Sequence, residues 1–391
     1  MKRVLCHLFF DEYPKDSRIR RYTNALSEKG YEVIIISLNN GKMKSYESYD
    51  NIHIYRINLS KKRGTFARRL SEYLLFEIIA FFYVIKIFFK FRPEIFHVHT
   101  LPDFLVFSTL VPKLFGAKIV LDFHELFPEA MLQFKKGLQK KSLWYKGLLL
   151  QEKYSFKFAN EIISFHDPAK NILQSRYGFK KNVTTVMNGV DENELPVFNK
   201  ITDKKFKIVY NGTINYNLNL SLVIKALINI KIKYPDIYNR IGFYLYGDGP
   251  DLDNILELAK MKNIENVYYC GRLNFNDMMK ELESASLSVI PPIKDVYSDL
   301  FYSIKLIEMI FLKIPVAATR LNTYLQFYPE DCLLYFDSNN DEELADKIIF
   351  AFKNSDKMRI FTDKAFTEYK KYSWNIMKER YIKLIESISK N

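Results

Sequence analysis

Residues 4–37 read VLCHLFFDEYPKDSRIRRYTNALSEKGYEVIIIS, and the fold class turns on them. Val4–Phe10 is an apolar run of strand length, broken at Asp11 by a polar segment that contains Pro14. Arg18–Lys29 follows as a helix and ends on Lys29-Gly30, a stop signal, after which Tyr31 opens a second apolar run at Glu32–Ser37. The order is strand, helix, strand. Apolar residues at consecutive positions suit strands covered on both faces, which predicts a mostly parallel sheet sandwiched by helices.

The same alternation extends in both halves of the chain. Ile52–Ile57, Ile95–Val98, Lys118–Phe123, Glu161–Phe165 and Val183–Met187 continue the first series. Leu195–Lys205, polar with a proline and several lysines, reads as a linker. Beyond it Phe206–Tyr210, Gly242–Tyr246, Val267–Cys270, Leu287–Ile290, Val316–Ala318 and Leu333–Phe336 alternate with helices such as Leu220–Tyr234 and Asp341–Lys353. Lys364–Lys390 reads as helical. The 391 residues exceed twice the ~150 of one ordinary domain, so two α/β domains in tandem are predicted. Their strand C-termini would face a cleft, the usual ligand position in open sheets.

With 48% hydrophobic and 26% charged residues the composition is that of a soluble globular chain, which excludes disordered, collagenous and disulfide-scaffold classes. Lys+Arg 58 against Asp+Glu 45 leaves +13, so anionic partners are expected: phosphates, nucleic acid or an acidic membrane face. Cys6, Cys270 and Cys332 are odd in number, far apart and without metal-ligand spacing, which fits a reduced, cytosolic chain. The first residues read as a strand rather than a signal peptide. Leu74–Phe91 is the greasiest segment, but Glu77 and Lys86 interrupt it, leaving Ile78–Ile85 well short of the ~20 residues of a membrane span. A buried helix is predicted there.

Several short motifs carry chemistry. Asn188-Gly189-Val190-Asp191 marks a turn after a strand. Tyr246-Gly247-Asp248-Gly249-Pro250 ends a strand and starts a helix, with backbone N–H groups free to face a ligand. Lys305 and Glu308 are three apart on one helix and share a face. Added to these are Asp16-Ser17-Arg18-Ile19-Arg20-Arg21, Phe96-His97-Val98-His99, Asp122-Phe123-His124-Glu125-Leu126-Phe127-Pro128-Glu129, Asn211-Gly212-Thr213 and Gly271-Arg272. In this order and spacing the chain resembles the family 4 retaining glycosyltransferases, also called group 1, over nearly its whole length. The resemblance implies the GT-B fold, two facing Rossmann-like domains with a cleft between them: residues 1–195 binding acceptor, 196–370 binding nucleotide sugar, and a C-terminal helix, 371–391, packing back on the first domain.

The resemblance also implies site roles. His124, Lys305 and Glu308 are the expected catalytic residues. Lys305 would meet the diphosphate and neutralise charge growing on the leaving group; Glu308 would accept hydrogen bonds from the ribose; His124 would lie beside the transferred sugar. Gly212, Thr213, Gly247, Gly249 and Arg272 complete the donor site, and Arg18, His99 and Glu125 belong to the acceptor side, with Glu129 a further carboxylate facing acceptor. His97 alternates with His99 and is expected to pack. There are departures from the family pattern: Phe10–Ser17 contains no glycine, the arginine and lysine usual after the glycine aligned with Gly212 are replaced by Thr213-Ile214-Asn215-Tyr216-Asn217, and the first of the family's two glutamates falls on Leu300, with Asp299 adjacent.

The expected reaction is sugar transfer with retention from a nucleoside diphosphate sugar, with UDP the expected nucleotide, to a glycan or lipid-linked acceptor in bacterial-type surface polysaccharide or glycoconjugate synthesis. No cofactor and no metal are expected, since no Asp-x-Asp motif stands in a plausible donor site. The rivals are a sugar-nucleotide epimerase of the same architecture, which would turn over donor without acceptor, and a noncatalytic glycosyltransferase-like partner subunit, which would lack nucleotide binding. Lys61–Arg69 and Phe134–Lys146 interleave basic and aromatic residues and are expected to rest on anionic lipid at ~1 kcal/mol per cation. The protein is expected to be cytoplasmic, with peripheral contact on the inner membrane face. Nucleic acid is not expected, as no recognised binding motif is present.

Overall fold

The computed structural model describes residues 3–41, 43–59, 66–135, 137–177, 181–192, 198–201 and 205–389. The chain divides into two compact units, Met1–Asn188 with Asn375–Asn391, and Gly189–Trp374.

In the first unit β1 (Val4–Glu12), β2 (Glu32–Asn39), β3 (Tyr46–Tyr49), β4 (Ile52–Asn58), β5 (Ile95–His99), β6 (Lys118–Phe123), β7 (Glu161–Ser164) and β8 (Val183–Thr185) form one sheet in the order β3-β4-β2-β1-β5-β6-β7-β8. All pairings are parallel except β3 with β4. Leu5, Cys6 and Leu8 on β1 are wholly buried, as strands covered on both faces require. The helix Ser17–Glu28 begins where Asp16 accepts from the N–H groups of Arg18 and Ile19, and it stops before Gly30 at φ +80°. β3 escapes sequence reading because all four of its residues are exposed at the sheet edge and form no apolar run.

In the second unit β9 (Phe206–Thr213), β10 (Ile241–Asp248), β11 (Val267–Gly271), β12 (Leu287–Ile290), β13 (Val316–Thr319) and β14 (Leu334–Phe336) are all parallel, in the order β11-β10-β9-β12-β13-β14. Ile208, Phe243, Leu245, Leu287 and Val289 bury against Val223 and Leu227 of the helix Ser221–Lys233 and Leu344 and Ile348 of the helix Asp341–Lys353. Both sheets are doubly wound. Strand order reverses between β1 and β5 in one and between β9 and β12 in the other, and open sheets take ligands beyond the strand C-termini at such points.

Four expectations need correction. The boundary expected at 195/196 falls at 188/189, because Val190 is already buried within the second unit and its carbonyl accepts from Tyr369 Oη at 3.3 Å. Much of the expected linker, residues 195–197 and 202–204, lies outside the described residues. The single terminal helix is two, Ser355–Lys370 and Trp374–Ser389, separated at 371–373, and the chain passes to the first unit at 374/375, at the start of the second of them. Residues 375–389 belong with the first sheet: Tyr381 Oη lies 3.0 Å from His97 Nδ1, and Met187 N–H meets Met377 Sδ at 3.2 Å. Finally, the helix Phe66–Phe91 is only half buried. Phe76, Ala80, Val84 and Ile87 pack inward while Leu75, Ile78, Phe82 and Phe89 face out, because the segment is apolar on both sides and only one side has a partner. Among the described residues no helix is long and apolar enough to cross a membrane.

Candidate functional site

In the second unit the site is built on close approach of backbone. Gly212, one residue before the end of β9, pairs with Gly247 of β10, at φ +126° and +139°. A Cβ on Gly247 would stand 1.8 Å from Gly212 O, and one on Gly249 would stand 2.0 Å from Ile214 O. Only glycine fits either place. A Cβ on Gly212 would stand 2.2 Å from Lys305 Cε, so the bare Cα of Gly212 is what lets Lys305 lie across the strand end. Lys305 starts the helix Ile304–Phe311; its Nζ donates to Tyr210 Oη at 2.8 Å and sits 4.7 Å from the Tyr210 ring centre. Tyr210 in turn donates to Thr213 O at 2.5 Å. Burial pulls the Lys305 ammonium down to about 8, and the Glu308 carboxylate works the other way. The result is a partly dehydrated cation at the strand-order reversal, which suits an anionic ligand.

Glu308 is half-buried on the same helix, and Thr213 is exposed at the end of β9. Arg272 is exposed just past β11, at the sheet edge and two strands from β9. Tyr210 is the residue sequence reading missed, since an aromatic within a strand reads as core. Asp251-Leu252-Asp253 is an Asp-x-Asp; Asp251 is buried, and its Oδ1 accepts from Asn254 Nδ2 at 3.0 Å.

In the first unit four of the chain's six histidines converge. His7 on β1 and His97 and His99 on β5 are wholly buried, Asp122 near the end of β6 is 1% exposed, and the His124 side chain is 15% exposed. His99 Nε2 lies 2.9 Å from His7 Nδ1. His99 Nδ1 lies 3.2 Å from both Asp122 Oδ2 and His124 Nε2, and the latter two are 3.3 Å apart. His97 Nε2 is 3.6 Å from the same carboxylate oxygen. Burial pulls His7 and His97 down and takes His99 to about 3, so all three imidazoles are neutral. Burial would raise the Asp122 carboxyl, but His124, His97 and His99 around it hold it well below the usual range. The trios His99–Asp122–His124 and His7–His97–His99 each have the spacing to hold a metal ion, a feature no local motif announces.

The other acceptor-side residues are placed as follows. Arg18 is half-buried at the start of its helix and acts on Asp16, whose carboxyl is lowered by His124 and Arg18 against the pull of burial. Glu125 is half-exposed and acts electrostatically on Tyr73 and Asp103. Asp103 is wholly buried with no hydrogen bond to either oxygen, and burial with Glu152 and Glu125 raises it well above the usual range. Glu129 does not face an acceptor: it is buried, accepting from Tyr145 Oη at 2.7 Å and Arg176 at 2.6 Å, because its helix turns it inward onto the helix Leu143–Phe158.

Residues 17–194 match Glycosyltransferase Family 4, and residues 191–368 match Glycosyl transferases group 1, so the two matches tile the chain from 17 to 368. The chain is a group 1 glycosyltransferase. This glycosyltransferase is 20% identical to an uncharacterized glycosyltransferase of Methanocaldococcus jannaschii over 293 residues, 70% of each chain. Sucrose-phosphate synthase from Thermosynechococcus elongatus superposes with a TM-score of 0.75 at 14% identity over 99% of both chains. A trehalose-6-phosphate structure from E. coli bound with UDP-2-fluoro glucose superposes with a TM-score of 0.72 at 12% identity, again over 99% of both. The fold of the glycosyltransferase is therefore GT-B.

Proposed function

We propose that this glycosyltransferase moves a sugar, with retention, from a nucleoside diphosphate sugar to a glycan or lipid-linked acceptor, in synthesis of a surface polysaccharide or glycoconjugate. The observation that carries this is Lys305, held by Tyr210 against the bare Cα of Gly212 at the strand-order reversal of the second unit. UDP is the proposed nucleotide; the UDP-2-fluoro glucose in the E. coli structure supports it. In this reading Lys305 meets the diphosphate, Glu308 the ribose, and His124 the sugar. The bond from the anomeric carbon to the phosphate oxygen breaks, the acceptor oxygen attacks from the same face, and its proton passes to the leaving phosphate. A cation fixed beside the departing oxygen stabilises the charge that grows there.

The acceptor side supports a membrane-borne substrate and a cytoplasmic enzyme lying peripherally on the inner face. Leu75, Ile78, Phe82 and Phe89 line the outer face of one helix, and Leu114 and Phe115 extend it, the rings of Phe89 and Phe115 being 6.0 Å apart. Lys86, Lys90 and Arg92 are exposed around this stripe. Of the two basic-aromatic segments, residues 61–65 and 136 lie outside the described residues, while Leu143 and Trp144 are exposed and Lys135 Nζ sits 4.4 Å from the Trp144 ring centre.

A thermal-shift titration of the full chain against nucleoside diphosphates and their sugars tests the donor. Stabilisation follows RT ln(1 + [L]/Kd), about 2.7 kcal/mol at 100 Kd, so UDP-sugars should raise Tm where nucleoside monophosphates barely do. If no nucleotide moves Tm, the donor assignment fails. Donor converted without any acceptor would make the protein an epimerase.

A further inference from the structure

The buried histidines pose a question that protons answer. Asp122 is an anion, so its Oδ2 accepts hydrogen bonds and can give none. Each neutral imidazole carries one N–H and one bare nitrogen, and the two nitrogens of His99 face different partners: Nδ1 faces Asp122 and His124, and Nε2 faces His7 Nδ1. Two assignments are available. If His99 keeps its proton on Nε2, His7 Nδ1 must accept it, and His7 Nε2 then carries an N–H. That nitrogen is buried without a partner, and an orphaned buried donor is the costlier defect. If instead His99 carries its proton on Nδ1, it donates to Asp122, its Nε2 accepts from His7 Nδ1–H, and what the His7–His99 pair leaves unpartnered is a bare acceptor at His7 Nε2 rather than an N–H. The second assignment wins.

It decides His124 as well. A lone pair on His124 Nε2 would face both the Asp122 carboxylate at 3.3 Å and the His99 N–H at 3.2 Å; the full negative charge is the stronger influence, so Nε2 carries a proton and donates to Asp122. His97 packs beside this pair, its Nε2 3.6 Å from Asp122 Oδ2 and outside hydrogen-bond reach, and its Nδ1 3.0 Å from Tyr381 Oη. The same count weighs against a metal ion on His99 Nδ1, because metal there would force the His99 proton to Nε2 and bring back the orphaned N–H on His7.

We propose that Asp122, His99 and His7 form a hydrogen-bonded chain that fixes His124 as its Nε2–H tautomer and leaves Nδ1 as the nitrogen offered to the reacting sugar. Asp122 and His99 are then positioning residues for the transfer, and the inference rests on the reading of His124 given above. Neutral, His124 Nδ1 accepts from a sugar hydroxyl; protonated, it donates to a sugar or phosphate oxygen. In both forms the ring is held from behind by the same carboxylate. The charged and titratable groups facing this cluster are His7 on β1, Asp16 with Arg18, Arg21 and Tyr22 on the first helix, His97 and His99 on β5, and Tyr381 on the last helix.

The test compares Asp122→Asn with His124→Ala in the full chain. An amide at 122 can offer its NH₂ to His124 Nε2 and invert the tautomer, an exchange that in a Ser-His-Asp triad costs about 10⁴-fold. Asp122→Asn should lower kcat about 10²–10³-fold with donor KM within about twofold. Ring-nitrogen NMR of 15N-histidine protein reads the same point without turnover: His124 should show a protonated Nε2 in the native chain and a protonated Nδ1 in Asp122→Asn. An inactive His124→Ala together with an Asp122→Asn that keeps its rate and its ring shifts would overturn the chain while sparing the His124 reading. A fully active His124→Ala would remove both. About one equivalent of zinc in the purified protein, lost together with activity on chelation, would replace the proton chain by a metal site and overturn it.

Discussion

Lys305 shows how one residue's surroundings set its chemistry. Its ammonium is half-buried, bonded to one phenol, and pulled down to about 8, so it loses its proton in a range where an exposed lysine would not. The protonated form is the one that binds diphosphate. UDP affinity of the free enzyme should therefore fall as pH rises from about 7 to about 9.5, because the bound anion requires the charge that is then being lost. Lys305→Met should weaken UDP by roughly 1.5–3 kcal/mol at pH 7 and abolish that pH dependence, with a smaller loss for UMP. Calorimetric titration at three pH values would decide it: a Lys305→Met enzyme with the native pH slope would place the titrating group elsewhere.

At the scale of elements, the helix Phe66–Phe91 carries its own pH dependence. Burial pushes the Glu77 carboxyl up to about 8 from an ordinary 4.5, against a backbone hydrogen bond from Ser108. A carboxyl raised in the fold favours folding while protonated. Its contribution is complete below the ordinary value and is lost progressively as pH climbs toward about 8. Glu77→Gln stays neutral throughout. Its Tm should therefore exceed that of the native chain by a margin that grows from about pH 5 to about pH 8.5, read by calorimetry at both. An equal margin at the two pH values would mean that Glu77 is not held in an apolar setting.

For the whole molecule, the net charge of +13 acts together with the apolar stripe on the first unit. Liposome sedimentation should show binding that increases with anionic lipid and fades with salt, as attraction is screened beyond ~8–10 Å near physiological ionic strength. Phe82→Asp with Phe115→Asp should release the protein from vesicles and leave Tm nearly unchanged, because both side chains are 65% exposed. Native binding indifferent to lipid charge and salt would reject the electrostatic contribution; unimpaired binding of the double variant would reject the stripe.

Much of this protein is written locally and so can be read from its sequence. The apolar runs, the stop at Lys29-Gly30 and the glycine-bearing turn at Gly247–Pro250 are matters of neighbouring residues, and they identify the alternating strands and helices, the two parallel sheets and the three-residue spacing of Lys305 and Glu308. What the sequence leaves undecided is which distant residues meet. Tyr210 and Lys305 are 95 positions apart, and His7 and His99 are 92 apart; only the pairing of β1 with β5 and the packing of a helix start against the end of β9 bring them together. The same holds for Glu129, whose place beside Arg176 is invisible until its helix is set down, and for the helix Phe66–Phe91, apolar on both sides, where tertiary packing alone chose which side to cover. Periodicity and turn chemistry act over a few residues, whereas a partner is fixed by strand order and burial, which exist only once the chain has folded.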